Sequence, residues 1–321
     1  MPPLGPVVVT TPSFAKHSKR PIETAKQEDL GLVWKTEGHP LSGQDLVSVI
    51  GDAEGVIVGL DSVDRSVLES APSLKVVAKH GVGTDNIDLL AAADMGIAVV
   101  NAPGANADGV ADLTMGLLLS SARRIVQADA SLRAGQWTTF FGQELRGKTL
   151  GIVGFGRIGR CVAQRAHGFG LTLVGYDPFV PAADFDAAGV RSVSLEDCVA
   201  ISNFVTLHMP FGPGDQPLLT RDLLEMMPRG AGLVNAARGG LVDETALAEL
   251  LHAGHLDFAA LDAFGTEPLR ADDPLLTAPN LVLTPHIGAF SDGANAAMGE
   301  AVVRDVAQVL RGGQPVNPVQ G

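Results

Sequence analysis

The chain is poor in cysteine, in aromatic rings and in basic charge. Its 321 residues include two cysteines, Cys161 and Cys198, without Cys-x-x-Cys spacing, so no disulfide framework holds it together. They read as small buried residues of a protein from a reducing compartment. Only 23 Lys and Arg stand against 36 Asp and Glu, a net charge of −13, which argues against a protein that tracks nucleic-acid phosphates or a polybasic membrane anchor. No run approaches the ~18 uninterrupted apolar residues of a membrane span. The opening MPPLGPVVVTTP lacks the basic and apolar regions of a signal peptide. The expectation is a soluble, cytoplasmic protein. Aromatics make up 5% and charged residues 18%, yet apolar residues reach 46%, enough for sizeable cores and too much for a disordered chain.

What is abundant is glycine. There are 38, roughly one residue in eight against a usual ~7%, with no collagen period and no low-complexity run. Such a surplus marks places where the backbone turns tightly or comes close to something.

At about 150 residues per domain the length suits roughly two domains. Short β-branched runs alternate with helical stretches. Residues 7–10, 56–59 and 76–78, then 149–153, 172–176, 204–208, 232–235, 258–261 and 281–284, read as buried parallel strands of near-continuous apolar character. Helical spacing covers 16–26 and 43–51, an apolar helix spans 109–125, and an amphipathic helix spans 291–310 before a frayed tail. This βαβ repetition predicts an α/β fold of two parallel sheets covered by helices, with the break between residues 100 and 148 and no third domain. The helix at 110–124 is apolar enough to be either fully buried or a subunit contact.

Gly154-Phe155-Gly156-Arg157-Ile158-Gly159 follows the strand at 149–153 and opens a helix. In that context a GxGxxG is a dinucleotide loop: its glycines permit the turn, the approach of a pyrophosphate and close helix packing. The next strand ends at Asp177, placed to hydrogen-bond a ribose, and Pro178-Phe179-Val180-Pro181 holds no base for a 2′-phosphate, so NAD is expected rather than NADP. A Gly-rich turn in an unrelated α/β protein, or a methyltransferase loop for an adenosyl cofactor, is the competing reading. The site is expected in a cleft between the domains, beyond the carboxyl ends of the strands.

Three clusters follow at strand ends: Asn235–Glu244 (NAARGGLVDE), 261–269 (LDAFGTEPL) and 284–289 (TPHIGA). With the Gly loop in GKTLGIVGFGRIG and with 79–88 (KHGVGTDNID), they make the chain closely resemble the D-isomer-specific 2-hydroxyacid dehydrogenase family, of the 3-phosphoglycerate dehydrogenase kind, from about residue 75 to 303. The resemblance implies two Rossmann- or flavodoxin-like domains. A discontinuous substrate domain (1–101 and 290–321) carries an inserted NAD-binding domain (102–289), in a short form without a C-terminal regulatory domain. It further implies a homodimer whose contact includes the 110–124 helix. Arg238 takes the place of the family's arginine that holds an α-keto carboxylate and polarises its carbonyl, with Gly239 and Gly240 letting substrate approach. His286 takes the place of the acid/base, and Glu267 pairs with it, orients the ring and favours its charged form. Gly154, Gly156, Arg157, Ile158, Gly159, Asp177, Pro210, Ala236, Asp262 and Gly288 are implied cofactor contacts, Asp262 on the nicotinamide side. Lys79, Gly81, Val82 and Gly83, with Arg238 and His286, are implied substrate contacts, the glycine pair offering N–H groups to a carboxylate. His208 reads as structural. His252 and His255 converge with no further ligand, so no metal is expected.

Departures bear on the substrate. Lys79 stands where many relatives carry Arg, which weakens bidentate phosphate recognition. Asp112 replaces a usual Glu, and Phe211-Gly212-Pro213 a usual Pro-Leu-Thr. Trp137, Phe140 and Phe141 are placed to reach a partner subunit. The expected reaction is NAD-dependent interconversion of a D-2-hydroxy acid and its 2-keto acid, with 3-phosphoglycerate or hydroxypyruvate/glyoxylate as candidates. An NAD(H)-sensing binding protein of the corepressor kind, or phosphite-type oxidation, are the alternatives.

Overall fold

The computed structural model describes residues 4–212 and 214–319; Pro213 of the departure noted above lies outside them. The chain divides into a flanking unit, 4–106 with 289–319, and a central unit, 107–288.

The flanking unit runs β1 (Leu4–Val9), α1 (Arg20–Gln27), β2 (Leu30–Trp34), α2 (Gly43–Ile50), β3 (Gly55–Val58), α3 (Arg65–Glu69), β4 (Val76–Lys79), α4 (Leu89–Asp94) and β5 (Ala98–Val100). The five strands form one parallel sheet in the order β2-β1-β3-β4-β5, the flavodoxin-like arrangement. Alternate residues bury opposite faces. Val8, Val56, Val58, Val77 and Val99 meet α2, α3 and α4. Val7, Val9, Ile57, Val76 and Ala78 meet α1 and a C-terminal helix, Asp292–Leu310. Both faces are covered, which is why these strands read as continuous apolar runs.

The central unit runs α5 (Ala107–Ala122), α6 (Ile125–Arg133), β6 (Thr149–Val153), α7 (Arg157–His167), β7 (Thr172–Tyr176), α8 (Ala182–Ala187), β8 (Arg191–Ser192), α9 (Leu195–Ala200), β9 (Phe204–Leu207), α10 (Arg221–Met226), β10 (Gly232–Asn235), α11 (Glu244–His252), β11 (Phe258–Leu261) and β12 (Leu281–Leu283). The C-terminal helix of the flanking unit is then α12. The seven central strands are parallel in the order β12-β11-β10-β9-β6-β7-β8, so the chain reverses its direction of travel across the sheet between β6 and β9, as in Rossmann domains. Leu150, Ile152, Leu173, Phe204, Val234 and Phe258 pack under α5, α7 and α8. Val153, Val174, Val205, Leu207, Leu233 and Leu261 pack under α9, α10 and α11.

Several expectations change. The first helix starts at Arg20 instead of residue 16, because Pro21 suits the first helical turn and residues 12–15 form turns followed by a bend. The helix expected at 109–125 is two helices. Arg124 takes a left-handed backbone (φ 56°), and its guanidinium holds the Asp257 carboxylate and carbonyl. Nine residues of α5 are buried within the central unit, seven of them apolar, which accounts for the apolar character of this helix. The tail, expected to be frayed, is held as far as Val319. Val316 N–H and the Asn317 amide donate to Asp305 at 2.6 and 2.8 Å, and Val319 N–H donates to Val99 O at 2.8 Å. Both cysteines are free thiols; burial pushes Cys198 up to about 12. Among the described residues no helix is long and apolar enough to cross a membrane.

Candidate active site

The glycine loop leaves β6 at Gly154, whose φ of 96° and closeness to the His208 carbonyl exclude a side chain. Gly159 lies against Gly154 O, so the first turn of α7 sits directly on the loop. Gly156 is the N-cap of α7. A side chain there would meet nothing within 4 Å, and no side chain caps the helix. Gly156 and Arg157 are exposed at this uncapped helix start, where an anion stabilises the positive end of the helix dipole. Asp177 follows directly on β7, which ends at Tyr176, and its carboxylate also braces the loop, accepting from Phe155 N–H at 2.8 Å and Phe179 N–H at 2.9 Å. This cradle fits a dinucleotide pyrophosphate. Pro210 is exposed and Ala236 is buried at the end of β10.

Beyond β10, β11 and β12 three loops form one framework. The buried Asn235 shapes the first: its amide donates to Arg238 O at 2.8 Å and its side-chain oxygen accepts from Ala237 N–H at 3.1 Å. Gly239 and Gly240 are not there to admit substrate. A side chain on Gly239 would overlap the Phe264–Gly265 backbone, and one on Gly240 would overlap the Phe211 ring. They let the Arg238 loop lie on the loop that carries Glu267.

Glu267 accepts from its own turn, at Phe264 N–H (3.0 Å), and lies 2.8 Å (Oε2) and 3.0 Å (Oε1) from His286 Nδ1. Burial opposes its ionisation. The bonds from His286 and Phe264 N–H outweigh that, and with the charges of His286 and Arg238 they hold the carboxyl below its ordinary value. A carboxylate on Nδ1 fixes the ring proton there and leaves Nε2 for a substrate.

His286 itself has a left-handed backbone, φ 53°, uncommon outside glycine. Asp262 holds it so. That side chain, 1% exposed, accepts from Thr284 Oγ1 (2.6 Å), Ile287 N–H (2.8 Å) and Gly288 N–H (2.8 Å). It acts here as a clasp on the 284–288 turn. His208 bonds Thr206 Oγ1 at 3.0 Å, and burial pushes its ring down to about 3, which suits the structural role expected.

In the flanking unit Lys79 is 8% exposed. Its ammonium donates to Gly59 O at 2.6 Å and Asn86 Oδ1 at 2.7 Å. Gly81 N–H turns back onto Lys79 O at 2.8 Å, and Val82 O accepts from the Asn101 amide at 2.6 Å. Gly83 follows in the same loop. Arg238, Glu267 and His286 thus belong to one framework in the central unit, whereas Lys79, Gly81, Val82 and Gly83 belong to the flanking unit. Two supports escaped the motif-level reading, Asn235 and Glu244. Asn-Ala-Ala after a strand is an Asx-turn signal that could have revealed the first. Glu244 donates nothing but accepts from Gly265 N–H at 2.8 Å, a contact no local pattern announces. No group of His, Cys, Asp or Glu among the described residues could hold a metal.

Residues 115–288 match the family described as D-isomer specific 2-hydroxyacid dehydrogenase, NAD binding domain. The chain is 45% identical to D-3-phosphoglycerate dehydrogenase of Methanocaldococcus jannaschii, over 89% of this chain and 55% of that one. It spans about half the length of the curated relatives it matches. Among solved structures, a putative D-isomer specific 2-hydroxyacid dehydrogenase from Polaromonas sp. JS6 66 superposes with a TM-score of 0.90 at 30% identity, covering 99% of this chain and 100% of that one. A glyoxylate reductase from Paecilomyes thermophila gives 0.84 at 27% identity, covering 99% of each. Together with the glycine cradle and the Arg238, Glu267 and His286 loops, these matches show that the chain belongs to the D-isomer specific 2-hydroxyacid dehydrogenase family.

Proposed function

We propose that the protein is an NAD-dependent oxidoreductase that interconverts a small D-2-hydroxy acid and its 2-keto acid. The observation that carries this is the His286–Glu267 pair, 2.8 Å apart, on loops of the same sheet that carries the open glycine cradle. Bound at that cradle, NAD supplies the hydride acceptor, and NADH the donor. Arg157, Ile158 and Gly159 N–H groups hold the pyrophosphate, and the Asp177 carboxylate favours ribose hydroxyls over a 2′-phosphate. Pro210, Ala236 and Gly288 line the same ligand.

The Arg238 guanidinium binds the substrate carboxylate and withdraws charge from the adjacent carbonyl. His286 Nε2 gives a proton to the carbonyl oxygen in reduction and takes it from the hydroxyl in oxidation. Glu267 remains the anionic partner of Nδ1 throughout. Its carboxyl is held low, so this pairing is present above the ordinary carboxylate range and is lost as pH falls through the lowered value. The flanking unit serves as substrate domain and the central unit as NAD domain, with Val82 and Gly83 offering the substrate their backbone, since the Gly81 N–H already serves Lys79 O.

The relatives named as 3-phosphoglycerate dehydrogenases support that substrate. Lys79 supports an unphosphorylated one, because two of its N–H groups already serve Gly59 O and Asn86. On this ground hydroxypyruvate or glyoxylate is expected to give a higher kcat/KM than 3-phosphohydroxypyruvate when NADH consumption is followed. The reverse order returns the assignment to the phosphorylated acid. No turnover with any of the three sinks the dehydrogenase reading, and NADH-dependent protein capture without turnover would put a sensing role in its place.

The protein further acts in the cytoplasm, consistent with its free thiols, and as a homodimer. The surface that supports a dimer lies after α5, where Ile125, Val126, Leu132, Trp137 and Phe141 are exposed, the last two at 91% and 90%. Trp137→Glu with Phe141→Glu is expected to turn a dimer into a monomer in analytical ultracentrifugation; a wild-type chain that sediments as a monomer removes the proposal.

A further inference from the structure

One half-buried carboxylate of the central unit, Glu244, is not used by this mechanism. Glu244 opens α11 just after Asp243, which caps the helix by accepting Ala246 N–H at 2.9 Å. Asp243 N–H in turn donates to Leu219 O at 3.0 Å, and Val242 bridges Leu219. The backbone at Glu244 is therefore anchored from both sides. Its Oε1 accepts Gly265 N–H at 2.8 Å, while the preceding N–H, of Phe264, donates to Glu267 Oε1 at 3.0 Å.

Two successive N–H groups of one turn are thus held by two carboxylates. Only the second of these, Glu267, faces His286. Beneath the turn, Gly239 lies against the Phe264–Gly265 peptide, and Gly239 adjoins Arg238. The Phe264–Gly265 peptide plane cannot rotate without releasing Glu244 or driving into the Arg238 loop. The Phe264 N–H that Glu267 accepts lies in the adjoining peptide, so a rotation here displaces it through the shared Phe264 Cα.

We propose that Glu244 is a positioning residue for the proton-transfer pair: by holding Gly265 N–H it fixes the Phe264–Glu267 turn, and so keeps Glu267 on Nδ1 of His286. The charges that face Glu244 are Glu267 and Asp273, both acidic, and burial with these neighbours raises its carboxyl above the ordinary value while the Gly265 N–H opposes them. A bare carboxylate kept in such surroundings is held there by the hydrogen bond it accepts. The role needs that acceptor and not the charge, so glutamine, whose amide oxygen accepts the same N–H, fulfils it.

The proposal rests on the dehydrogenase reading, and its test separates the two. Wild type, E244A and E244Q are compared for 2-keto acid reduction and for NADH binding by fluorescence titration. E244A is expected to lose about 10- to 100-fold in kcat, the scale of a small misplacement of catalytic groups, with NADH affinity close to wild type. The acid limb of its pH profile moves to higher pH, because Glu267 loses the bonds that hold its carboxyl low. E244Q recovers most of kcat and the wild-type limb. E244A with wild-type kcat and limb overturns the proposal, as does E244Q no faster than E244A. Should E244A fail to bind NADH, E244D, too short to reach Gly265, takes its place: a slow E244D supports the proposal and a fast one overturns it. A silent wild type overturns the dehydrogenase reading instead.

Discussion

His286→Asn is expected to lose on the order of 10²–10⁴-fold in kcat for 2-keto acid reduction while NADH affinity stays at the wild-type level. Asparagine is chosen for the backbone. Position 286 has φ 53°, and asparagine is among the few residues that accept the left-handed region without great cost. The turn clasped by Asp262 through Ile287 and Gly288 N–H therefore persists, and the nucleotide cradle, built on β6 and α7, is untouched. What disappears is the ring that relays a proton at Nε2 with Glu267 on its other nitrogen. The loss then lies in kcat and kcat/KM together, the signature of an interaction made in the transition state. Turnover within tenfold of wild type would falsify the role given to His286. Loss of NADH binding along with kcat would instead show that the turn had collapsed.

The flanking unit is expected to lose about 3 kcal/mol of stability between pH 7.5 and pH 4 through one residue, His80. This ring is 7% exposed, with Ser13 Oγ at 3.2 Å from Nδ1 and the Phe14 ring against it edge-on. Burial pushes it from 6.5 down to about 4; the Asn295 carbonyl opposes that and the Lys79 charge adds to it. The sign follows from proton counts. Between these two values the unfolded chain carries a proton on residue 80 and the folded chain does not, so acid draws the equilibrium toward unfolding, and the loss is complete below the folded value. Trp34 lies 6.4 Å from Phe14 in the same unit, so its fluorescence in a Trp137→Phe background reports unfolding there. Denaturant titrations at both pH values should show the stability gap between His80 and His80→Gln shrinking by that amount in acid. A gap that does not change with pH removes the buried histidine as the cause.

Much of the fold was legible because a strand buried on both faces has an unmistakable composition. The strands at 149–153, 172–176, 232–235 and 258–261 lie within single apolar runs bounded by polar or glycine residues, and the structure places them there. β2, β5 and β8, all sheet edges, were missed. β8 is two exposed polar residues and β5 is only three residues long, while β2 is apolar (LGLVW) but largely exposed, unlike the strands covered on both faces. The division of the 109–125 helix depends on Arg124, whose left-handed turn is stabilised by Asp257, 133 residues away.

The site shows the same limit. Motif order placed Arg238, Glu267 and His286 on neighbouring strand ends, as the structure has them, but did not show the reason for their neighbours. Gly239 and Gly240 looked like room for a ligand and are room for Phe264, Gly265 and Phe211. Lys79 looked like a charge waiting for an anion and is bonded to Gly59 O and Asn86. Asp262, read as a cofactor contact, has in addition the task of clasping the His286 turn. In each case the deciding partner is remote in sequence, and local pattern carries residue type but not partner.

The flanking unit is assembled from both arms of the chain, and this has a consequence for synthesis. Residues 107–288 leave the ribosome as a complete folding unit, whereas β1–β5 leave it without α12. The roughly 200 residues that separate β5 from the end of α12 take on the order of 10–40 s to translate. Throughout that interval Val7, Val9, Ile57, Val76 and Ala78 wait for Val302, Val303 and Val306 to cover them. The nascent chain therefore carries an open apolar sheet face while the whole central unit is made, and that unit is complete only about 20 residues before α12 ends. It is in this interval that a holding chaperone, or a ribosomal pause placed after β5, has the most to act on.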